Sequence, residues 1–288
     1  MQSVLSPRGP AAAEIAELSW VLIAGGGAVF LLVIAALVGA LWSRPAWLSR
    51  ERFVIVAGGA FPVAVLSVLL LYVYSVGERL HAQPEAQLRI EVTAEQWWWR
   101  VRYPGFETAN EIRIPAGQSV ELVLLSADVI HSFWVPSLAG KVDMIPGRAN
   151  RLVVSAKEEG VYRGQCAEFC GGPHALMALH VAAQSQSEFD AWRAQQQRPA
   201  AAGHALFLAR CAVCHAVRGT DAAGTRGPDL THVASRLHLA AGTRPNTPAD
   251  LAAWLADSQH VKPGNLMPSM RLGAEELQSL AAYLSTLK

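Results

Sequence analysis

The sequence predicts a multidomain membrane protein that consists of a two-helix transmembrane hairpin, an all-β domain and an all-α domain. Two uncharged apolar runs near the N-terminus, residues 18–42 and 53–77, predict the hairpin, because each can cross about 30 Å of hydrocarbon as a helix. Beyond residue 84 the apolar residues alternate with polar ones, which predicts strands. The last part has helical sequence around the motif Cys211-Ala-Val-Cys214-His215.

Composition agrees with this division of the chain. The 288 residues have a net charge of +1 and only 16% are charged, which argues for contact with membrane lipid and against binding to nucleic acid. The four cysteines fall into two motifs, so no disulfide framework is predicted. The expected boundaries are a lead and hairpin over 1–84, a β domain over 85–194, a linker over 195–202 and a helical domain over 203–288.

Basic residues predict the orientation of the hairpin. The connection between the two apolar runs contains Arg44, Arg50 and Arg52, whereas only Arg8 precedes the first run. Because basic residues are enriched in cytoplasmic loops, both ends of the hairpin and the domains that follow are predicted on the outer side. Pro62 lies inside the second run, where a membrane helix can accommodate it.

The part after the hairpin contains many short strands separated by turn residues, which is typical of a β-sandwich or barrel. The first strand begins near Leu88. The other predicted strands cover residues 97–103, 111–114, 120–125, 132–135, 151–155, 161–165 and 178–182. We expect the loop between the last two strands to lie beside His131, which would be on a neighbouring edge strand.

That loop contains a dense group of soft ligands. Cys166, Cys170, His174 and Met177 occupy twelve residues, and thiolate, imidazole and thioether ligands suit copper rather than magnesium or calcium. A mononuclear blue copper site needs one cysteine, so the second thiolate suggests a bridge between two copper ions. His131 is the candidate for a second imidazole. The alternative is a Cys166–Cys170 disulfide beside a buried histidine, which explains neither the histidine nor the methionine.

The helical part contains the signature for covalent attachment of a c-type haem. Cys211 and Cys214 would form thioethers to the porphyrin, and His215 would be the proximal iron ligand. The distal ligand is predicted to be a methionine, and Met267 and Met270 both lie in one Pro-rich segment. The pattern favours Met267, with Met270 as the alternative.

Together these motifs resemble cytochrome c oxidase subunit II of the copper-A type, with a cytochrome c domain fused at its C-terminus as in caa-type oxidases. The resemblance implies a cupredoxin-like Greek-key barrel over 85–194 and a class I cytochrome c fold over 203–288. It also implies that the Gly227-Pro228-Asp229-Leu230 segment supplies a proline carbonyl that orients the haem-ligand histidine.

The resemblance further implies a dinuclear copper-A centre and a ligand set for it. Cys166 and Cys170 would bridge the two ions. His131 and Met177 would complete one ion, and the remaining two ligands, His174 and the backbone carbonyl of Glu168, would complete the other.

The resemblance implies a role for three further residues. For two of them, Asp143 and Trp97, the sequence alone also suggests an alternative. In the family, the side chain at the Glu168 position binds a magnesium ion shared with the catalytic subunit. Asp143 either orders water at that magnesium site or pairs with Arg148 as a turn residue. Trp97 either marks the point of electron entry near copper A or fills the core with its neighbours.

The implied function is electron input to a respiratory, proton-translocating oxidase. Cytochrome c or another periplasmic donor would reduce the haem, and electrons would continue through copper A to catalytic subunit I, which holds haem and copper B and reduces O2. The complex, with its other subunits, would lie in a bacterial inner membrane with the soluble domains outside. The alternatives are the copper-A subunit of a membrane nitric oxide reductase and a stand-alone membrane-anchored electron-transfer protein.

The charges predict only weak attraction between the two soluble domains. Residues 85–198 have a net charge of −2 and residues 203–288 a net charge of +2, so their attraction is small and screened by salt. The low-complexity linker would instead keep them together, at an effective concentration set by its length.

Overall fold

The computed structural model describes residues 3–43, 45–81, 86–200 and 202–288. Along the chain it contains two apolar helical segments, a sandwich of two β-sheets and a helical domain, which confirms the predicted fold class. The predicted boundary at residue 84 and the loop residue Arg44 lie outside the described residues.

The hairpin helices are longer than predicted. Helix α1 covers Pro10–Trp42, and the second segment is α2 (Glu51–Ile55), a π-helical turn (Val56–Ala60) and α3 (Phe61–His81). The π-helical turn directly precedes Pro62. This arrangement has a physical reason, because the proline has no N–H and its ring would clash with the carbonyl four residues earlier in a regular α-helix.

The outer end of the hairpin is attached to the β domain. Arg79 Nε of α3 lies 2.8 Å from Glu14 Oε2 of α1, which joins the two helices. The segment before α1 contacts the sandwich, where the backbone N–H of Arg8 donates to the carbonyl of Ser137 at 2.7 Å. A Cβ on Gly9 would lie 2.5 Å from two backbone oxygens of that domain. The N-terminal end of α1 and the C-terminal end of α3 therefore lie on the same side as the β domain, and the membrane orientation stays a prediction.

The β domain contains two five-stranded sheets. The first has the strand order β3-β2-β1-β5-β8 and the second β4-β10-β9-β6-β7. The strands are β1 (Leu88–Glu95), β2 (Trp98–Tyr103), β3 (Phe106–Ala109), β4 (Glu111–Pro115), β5 (Val120–Ser126), β6 (His131–Trp134), β7 (Val142–Met144), β8 (Asn150–Val154), β9 (Gly160–Cys166) and β10 (Ala178–Gln184). The sequence prediction missed β3 and β7, which are too short to show alternation.

The tryptophan run has three different environments. Trp99 on β2 is fully buried, and its ring lies edge-on to Phe133 with centroids 5.8 Å apart. Trp98 lies under the guanidinium of Arg100, 4.7 Å from its ring centre. Trp97 precedes β2 and belongs to the turn after β1, so the predicted strand start at residue 97 was wrong by one residue. This turn places the Trp97 ring at the end of the sandwich.

The helical domain packs around one small core. Helix α4 (Gln186–Gln196) leads into it from the sandwich, and its own elements are α5 (Ala205–Arg210), β11 (His238–Leu239), β12 (Arg244–Pro245), α6 (Pro248–Ala256), α7 (Ser258–Val261) and α8 (Ala274–Thr286). Phe207 of α5, Leu255 of α6 and Leu280 of α8 are buried together. Burial of each such side chain stabilises the domain by roughly 1.5–3 kcal/mol.

The described part of the linker is packed rather than free. Gln196 is buried, and its amide donates to Ser235 Oγ at 3.3 Å. The carbonyl of Arg198 lies 3.0 Å from His232 Nε2. Residues before 201 are therefore attached to the helical domain, which restricts the relative motion of the two soluble domains.

Polar contacts between folded elements connect the two soluble domains directly. The backbone N–H of Leu237 donates to Glu111 Oε2 at 2.7 Å, and the rings of His180 and His238 stack with centroids 3.8 Å apart. Glu111 and His180 lie on the paired strands β4 and β10. This face of the second sheet is therefore covered by the helical domain.

A buried arginine adds a second connection. Arg100 is held by Glu95 Oε1 at 2.6 Å and by Glu107 Oε1 at 2.5 Å, and its remaining Nη2 donates to the carbonyl of Thr225 at 2.7 Å. Because both carboxylates come from the β domain, the charge is neutralised before the contact forms. The domain interface thus adds a hydrogen bond to a charge that is already paired.

The stacked histidine pair predicts that the docking weakens in acid. Burial, together with His238 and Arg163, lowers the pKa of His180 to about 4, and burial also lowers the pKa of His238. The docked form therefore binds fewer protons than an undocked form between about pH 6.5 and pH 4, and docking loses stability as pH falls through this window. We expect a loss on the order of 2 kcal/mol, measured as lower hydrogen-exchange protection factors, corrected for the intrinsic exchange rate at each pH, in residues 237–246 at pH 5 than at pH 7.5.

The control is His180→Phe, which keeps a flat ring but cannot be protonated. Glu111 and Arg163 stay on the flanking strands of the variant, so their contribution is unchanged. We expect the hydrogen-exchange protection factors of residues 237–246 to change clearly less between pH 7.5 and pH 5 in this variant than in the unsubstituted protein. An equal pH dependence in both proteins would contradict the role of the histidine pair.

Candidate functional site

The sheet topology places the predicted metal ligands at one end of the sandwich. Strand β9 ends at Cys166 and β10 begins at Ala178, so the ligand loop is the turn between two antiparallel neighbours. Strand β6 begins at His131 and pairs with β9, with Phe133 opposite Cys166. His131 therefore lies beside the loop as expected. Its strand is not at the edge of the sheet, because β7 covers it.

The ligand atoms converge around the two thiols. Cys166 Sγ lies 3.8 Å from Cys170 Sγ and 3.8 Å from His131 Nδ1. Cys170 Sγ lies 3.4 Å from His174 Nδ1 and 3.9 Å from Met177 Sδ. A disulfide would need sulfurs about 2.05 Å apart, so the two cysteines are free thiols, as the copper reading requires.

A backbone oxygen completes the group. The carbonyl of Glu168 lies 3.2 Å from Cys166 Sγ. The surroundings are apolar, since Cys166, Cys170, His131 and Met177 are all buried. The hydrogen bond between the two thiols lowers the pKa of Cys166 and raises the pKa of Cys170. Soft sulfur and imidazole donors in a dry pocket fit copper, which would supply one-electron chemistry there.

Asp128 is a residue of this site that the sequence analysis missed. Its Oδ1 lies 2.8 Å from Nε2 of the fully buried His131, while the Nδ1 of that ring points at the thiols. Its Oδ2 accepts a hydrogen bond from the backbone N–H of Gln96 at 2.6 Å. A carboxylate in this position fixes the tautomer and orientation of a ligand histidine. The spacing of three residues before His131 was the available signal.

Trp97 is attached to the ligand loop. Its Nε1 donates to the carbonyl of Cys170 at 2.9 Å, and the Gln96 side chain donates to the same oxygen at 2.8 Å. Gly171 adopts a φ of +112°, and a Cβ there would lie 3.0 Å from the Trp97 ring. The close approach of indole and loop therefore requires glycine at this position.

Two carboxylates lie near each other at the surface beside the loop. Lys141 Nζ lies 3.0 Å from Asp143 Oδ1 and 3.9 Å from Glu168 Oε2. The hydrogen bond from Lys141 lowers the pKa of Asp143. The ion pair of Asp143 is thus with Lys141 rather than with Arg148. Carboxylate oxygens are the donors that magnesium prefers, so the pair fits the chemistry expected of Glu168.

The haem-attachment motif follows α5 in the helical domain. Nδ1 of His215 lies 2.8 Å from the carbonyl of Pro228, which is the contact expected for this segment. A Cβ on Gly227 would lie 2.5 Å from the His215 ring, so glycine is needed for the ring to reach that carbonyl. This contact leaves Nε2 of His215 as the nitrogen for an iron ligand.

The predicted distal ligand lies in a well-ordered loop. Met267 packs against the core of the helical domain. Its carbonyl accepts from Ser258 Oγ at 3.1 Å and from Gln259 Nε2 at 2.9 Å, and its N–H donates to Asn265 Oδ1 at 2.8 Å. These bonds fix the backbone of Met267, and its role as the iron ligand stays a prediction.

Replacement of Asp128 tests its control of His131. Asp128→Asn removes the carboxylate that orients the ring, so we expect copper affinity to fall by about tenfold to hundredfold with haem content unchanged. Copper retained per haem after dialysis against a chelator measures this. The matched control is Asp190→Asn, at an exposed position on α4. Equal copper retention in both variants would refute the role of Asp128.

Replacement of Gly227 tests the fit of His215 to its carbonyl partner. Gly227→Ala forces a Cβ into the ring, so we expect the helical domain to lose about 2 kcal/mol of unfolding free energy and the haem spectrum to change. Gly203→Ala is the control, because the nearest atom to its Cβ, Cβ of Thr220, lies at an ordinary contact distance of 3.4 Å. The free energy of unfolding of both variants is measured by following haem absorbance. A Gly227→Ala protein as stable as the control would contradict the proposed need for glycine beside His215.

Comparison with known proteins gives two family matches along the chain. The family described as "Cytochrome C oxidase subunit II, periplasmic domain" matches residues 105–184, and the family described as "Cytochrome c" matches residues 200–288. Among solved structures, the periplasmic domain of subunit II of cytochrome oxidase from Bradyrhizobium japonicum is 33% identical. It covers 40% of this chain and 96% of that chain, with a TM-score of 0.39.

Curated relatives carry the name cytochrome c oxidase subunit 2. The protein of Alkalihalophilus pseudofirmus is 40% identical over 211 residues, 69% of this chain and 61% of the relative; a Bacillus sp. protein is matched over 62% of its length. The chain thus spans somewhat less than two thirds of these two. The protein of Bacillus subtilis is 30% identical over 275 residues, 85% of this chain and 77% of the relative. The chain belongs to the cytochrome c oxidase subunit II family and contains, in addition, a C-terminal cytochrome c domain.

Proposed function

We propose that this chain is the electron-input subunit of a respiratory, proton-translocating haem–copper oxidase. Haem c would be held by Cys211, Cys214, His215 and Met267, and the dinuclear copper A by His131, Cys166, Glu168 carbonyl, Cys170, His174 and Met177. When bound, these groups would accept and release one electron at a time. An external donor would reduce the haem side, and the copper side would pass electrons to the subunit that reduces O2.

The single observation that carries the proposal is the contact between two loops. The copper-ligand loop covers residues 166–177, and the haem-ligand loop, which contains Met267, covers residues 262–273. A Cβ on Gly264, in the Met267 loop, would lie 3.5 Å from Cδ of Pro173 in the copper loop. The carbonyl of Leu176 also lies 3.4 Å from Thr243 Oγ1 of the helical domain. A pair of electron carriers needs such proximity, whereas two unrelated binding domains on one chain do not.

The residues of the chain perform three tasks in this proposal. Asp128 and Pro228 orient the ligand histidines His131 and His215, so that little rearrangement is needed when the charge of a centre changes. The buried surroundings of Cys166 and Cys170 exclude water. Trp97 joins the Cys170 carbonyl to the domain interface, which supports its role as the point where electrons enter the copper loop.

The partners and the location belong to the same proposal. The two candidate membrane spans anchor the chain, and we infer the inner membrane of a bacterium with the soluble domains on the periplasmic side. There the chain would assemble with catalytic subunit I and other oxidase subunits, and take electrons from cytochrome c or another periplasmic donor. Glu168 would contribute to a magnesium ion at the interface with subunit I, a role that fits its partly exposed carboxylate, which shares Lys141 with Asp143.

The test is spectroscopic and uses the full chain. We expect a c-type haem band together with the EPR signal of one unpaired electron shared by two coppers. Cys166→Ser removes a bridging ligand and should abolish the copper signal while the haem band remains. Metal analysis of the isolated chain should give two coppers per iron, and the complex purified separately should consume O2 rather than nitric oxide. Fewer than two coppers per iron in the unsubstituted protein would overturn the proposal.

A further inference from the structure

Lys262 has surroundings that neither centre explains. It follows α7 in the loop that leads to Met267, and only 3% of it is exposed. Its Nζ donates to the carbonyl of Trp97 at 2.7 Å and to the carbonyl of Ala240 at 3.2 Å. In the part of the chain that the structure describes, no carboxylate forms an ion pair with it. Burial of an ammonium group without a counterion costs free energy, so this arrangement lowers the stability of the folded protein.

The two carbonyls belong to different domains. Ala240 lies in the helical domain beside β11, and Trp97 lies in the β domain beside the copper loop. Nε1 of the same tryptophan donates to the carbonyl of Cys170 at 2.9 Å. The buried amine is thus linked to the copper-ligand loop through Trp97, by one hydrogen bond on each side of that residue.

Hydrogen bonds within the haem-ligand loop connect the position of Lys262 to the position of Met267. Asn265 Nδ2 donates to the carbonyl of Lys262 at 2.8 Å, and Asn265 Oδ1 accepts from the N–H of Met267 at 2.8 Å. Gln259 bridges the same loop, accepting from Gly264 N at 3.1 Å and donating to the Met267 carbonyl at 2.9 Å. A shift of Lys262 would therefore move the backbone of the distal ligand.

We propose that Lys262 is a positioning residue that fixes the Met267 loop on Trp97 and so sets the geometry of electron transfer between the haem and copper centres. The inference rests on the proposed function. In the step that it serves, the haem side is oxidised by one electron and the copper side is reduced by one, and no bond forms or breaks and no proton moves. Lys262 itself is neither oxidised nor reduced.

This mechanism differs from attraction between net charges in its response to salt. Surface charges are screened within about 10 Å at 0.1 M salt, whereas buried hydrogen bonds are little affected. We therefore expect the rate of electron transfer from haem c to copper A to be nearly constant between about 0.05 and about 0.5 M salt. A rate that falls steeply over this range would assign the docking to the opposite net charges of the domains and overturn the proposal.

The decisive experiment uses the full chain in its complex. Haem c is reduced by a light pulse, and electron transfer to copper A is followed by absorbance. Lys262→Met keeps a long side chain but has no donor, so we expect the rate to fall at least about tenfold, as loss of a buried charged hydrogen bond allows. Both absorption bands, the copper EPR signal and the reduction potential of the haem should stay unchanged. Lys262→Arg, which keeps a cationic donor, should restore most of the rate.

The control is Lys157→Met at an exposed lysine of the β domain; its rate should equal that of the unsubstituted protein. Lys262→Leu, which likewise has no donor, is measured in parallel and decides by the same criteria if the methionine variant does not load haem. An unchanged rate with both centres present would refute the positioning role and leave the proposed function intact. An unsubstituted complex that lacks the copper signal would instead refute the proposed function.

Discussion

The site depends on the pairing of β6 with β9. This pairing brings His131, at the start of β6, to the end of the strand that carries Cys166. The two positions are 35 residues apart, and the core below them holds the pair in register: the ring of Trp99 lies 5.8 Å from that of Phe133 and 6.4 Å from that of His131. Because a slip of one residue would turn His131 away from the thiols, the packing of this core determines whether a ligand set exists at all.

The docking of the two soluble domains is the second constraint. The sequence suggested a tether that sets an effective concentration and a weak attraction between opposite charges. In the structure the helical domain instead contacts the β domain through buried groups, among them His180, Glu111 and Lys262, and Arg198 of the linker is itself attached. Because this interface is fixed, the two domains do not have to find the right relative orientation before each electron transfer. The entropic cost of that search is therefore avoided.

The sequence predicts best those features of the site whose residues are close together along the chain. The copper loop and the Cys211–His215 motif are contiguous, so residue types and spacing were enough to identify them. His131 and Met267 lie far along the chain from the motifs they would complete; the structure places His131 Nδ1 3.8 Å from Cys166 Sγ, and Met267 stays a prediction. Asp128 and Lys262 were missed because their roles depend on contacts with residues at other positions in the fold. The Trp97 boundary was misplaced because alternation alone does not distinguish a strand from the tight turn before it.

The composition of the domain interface explains why it specifies one arrangement. Apolar surfaces tolerate many relative orientations, because the hydrophobic effect has no direction. Here Arg100, His180 and Lys262 are buried polar groups of the interface, and two of them donate to a backbone carbonyl of the other domain. After a small rotation Arg100 would lose its hydrogen bond to the other domain, and Lys262 would lose its bond to Trp97 at a cost of about 1–3 kcal/mol. Because electron transfer slows steeply with distance, an interface that penalises misalignment suits the proposed pair of centres better than an apolar one would.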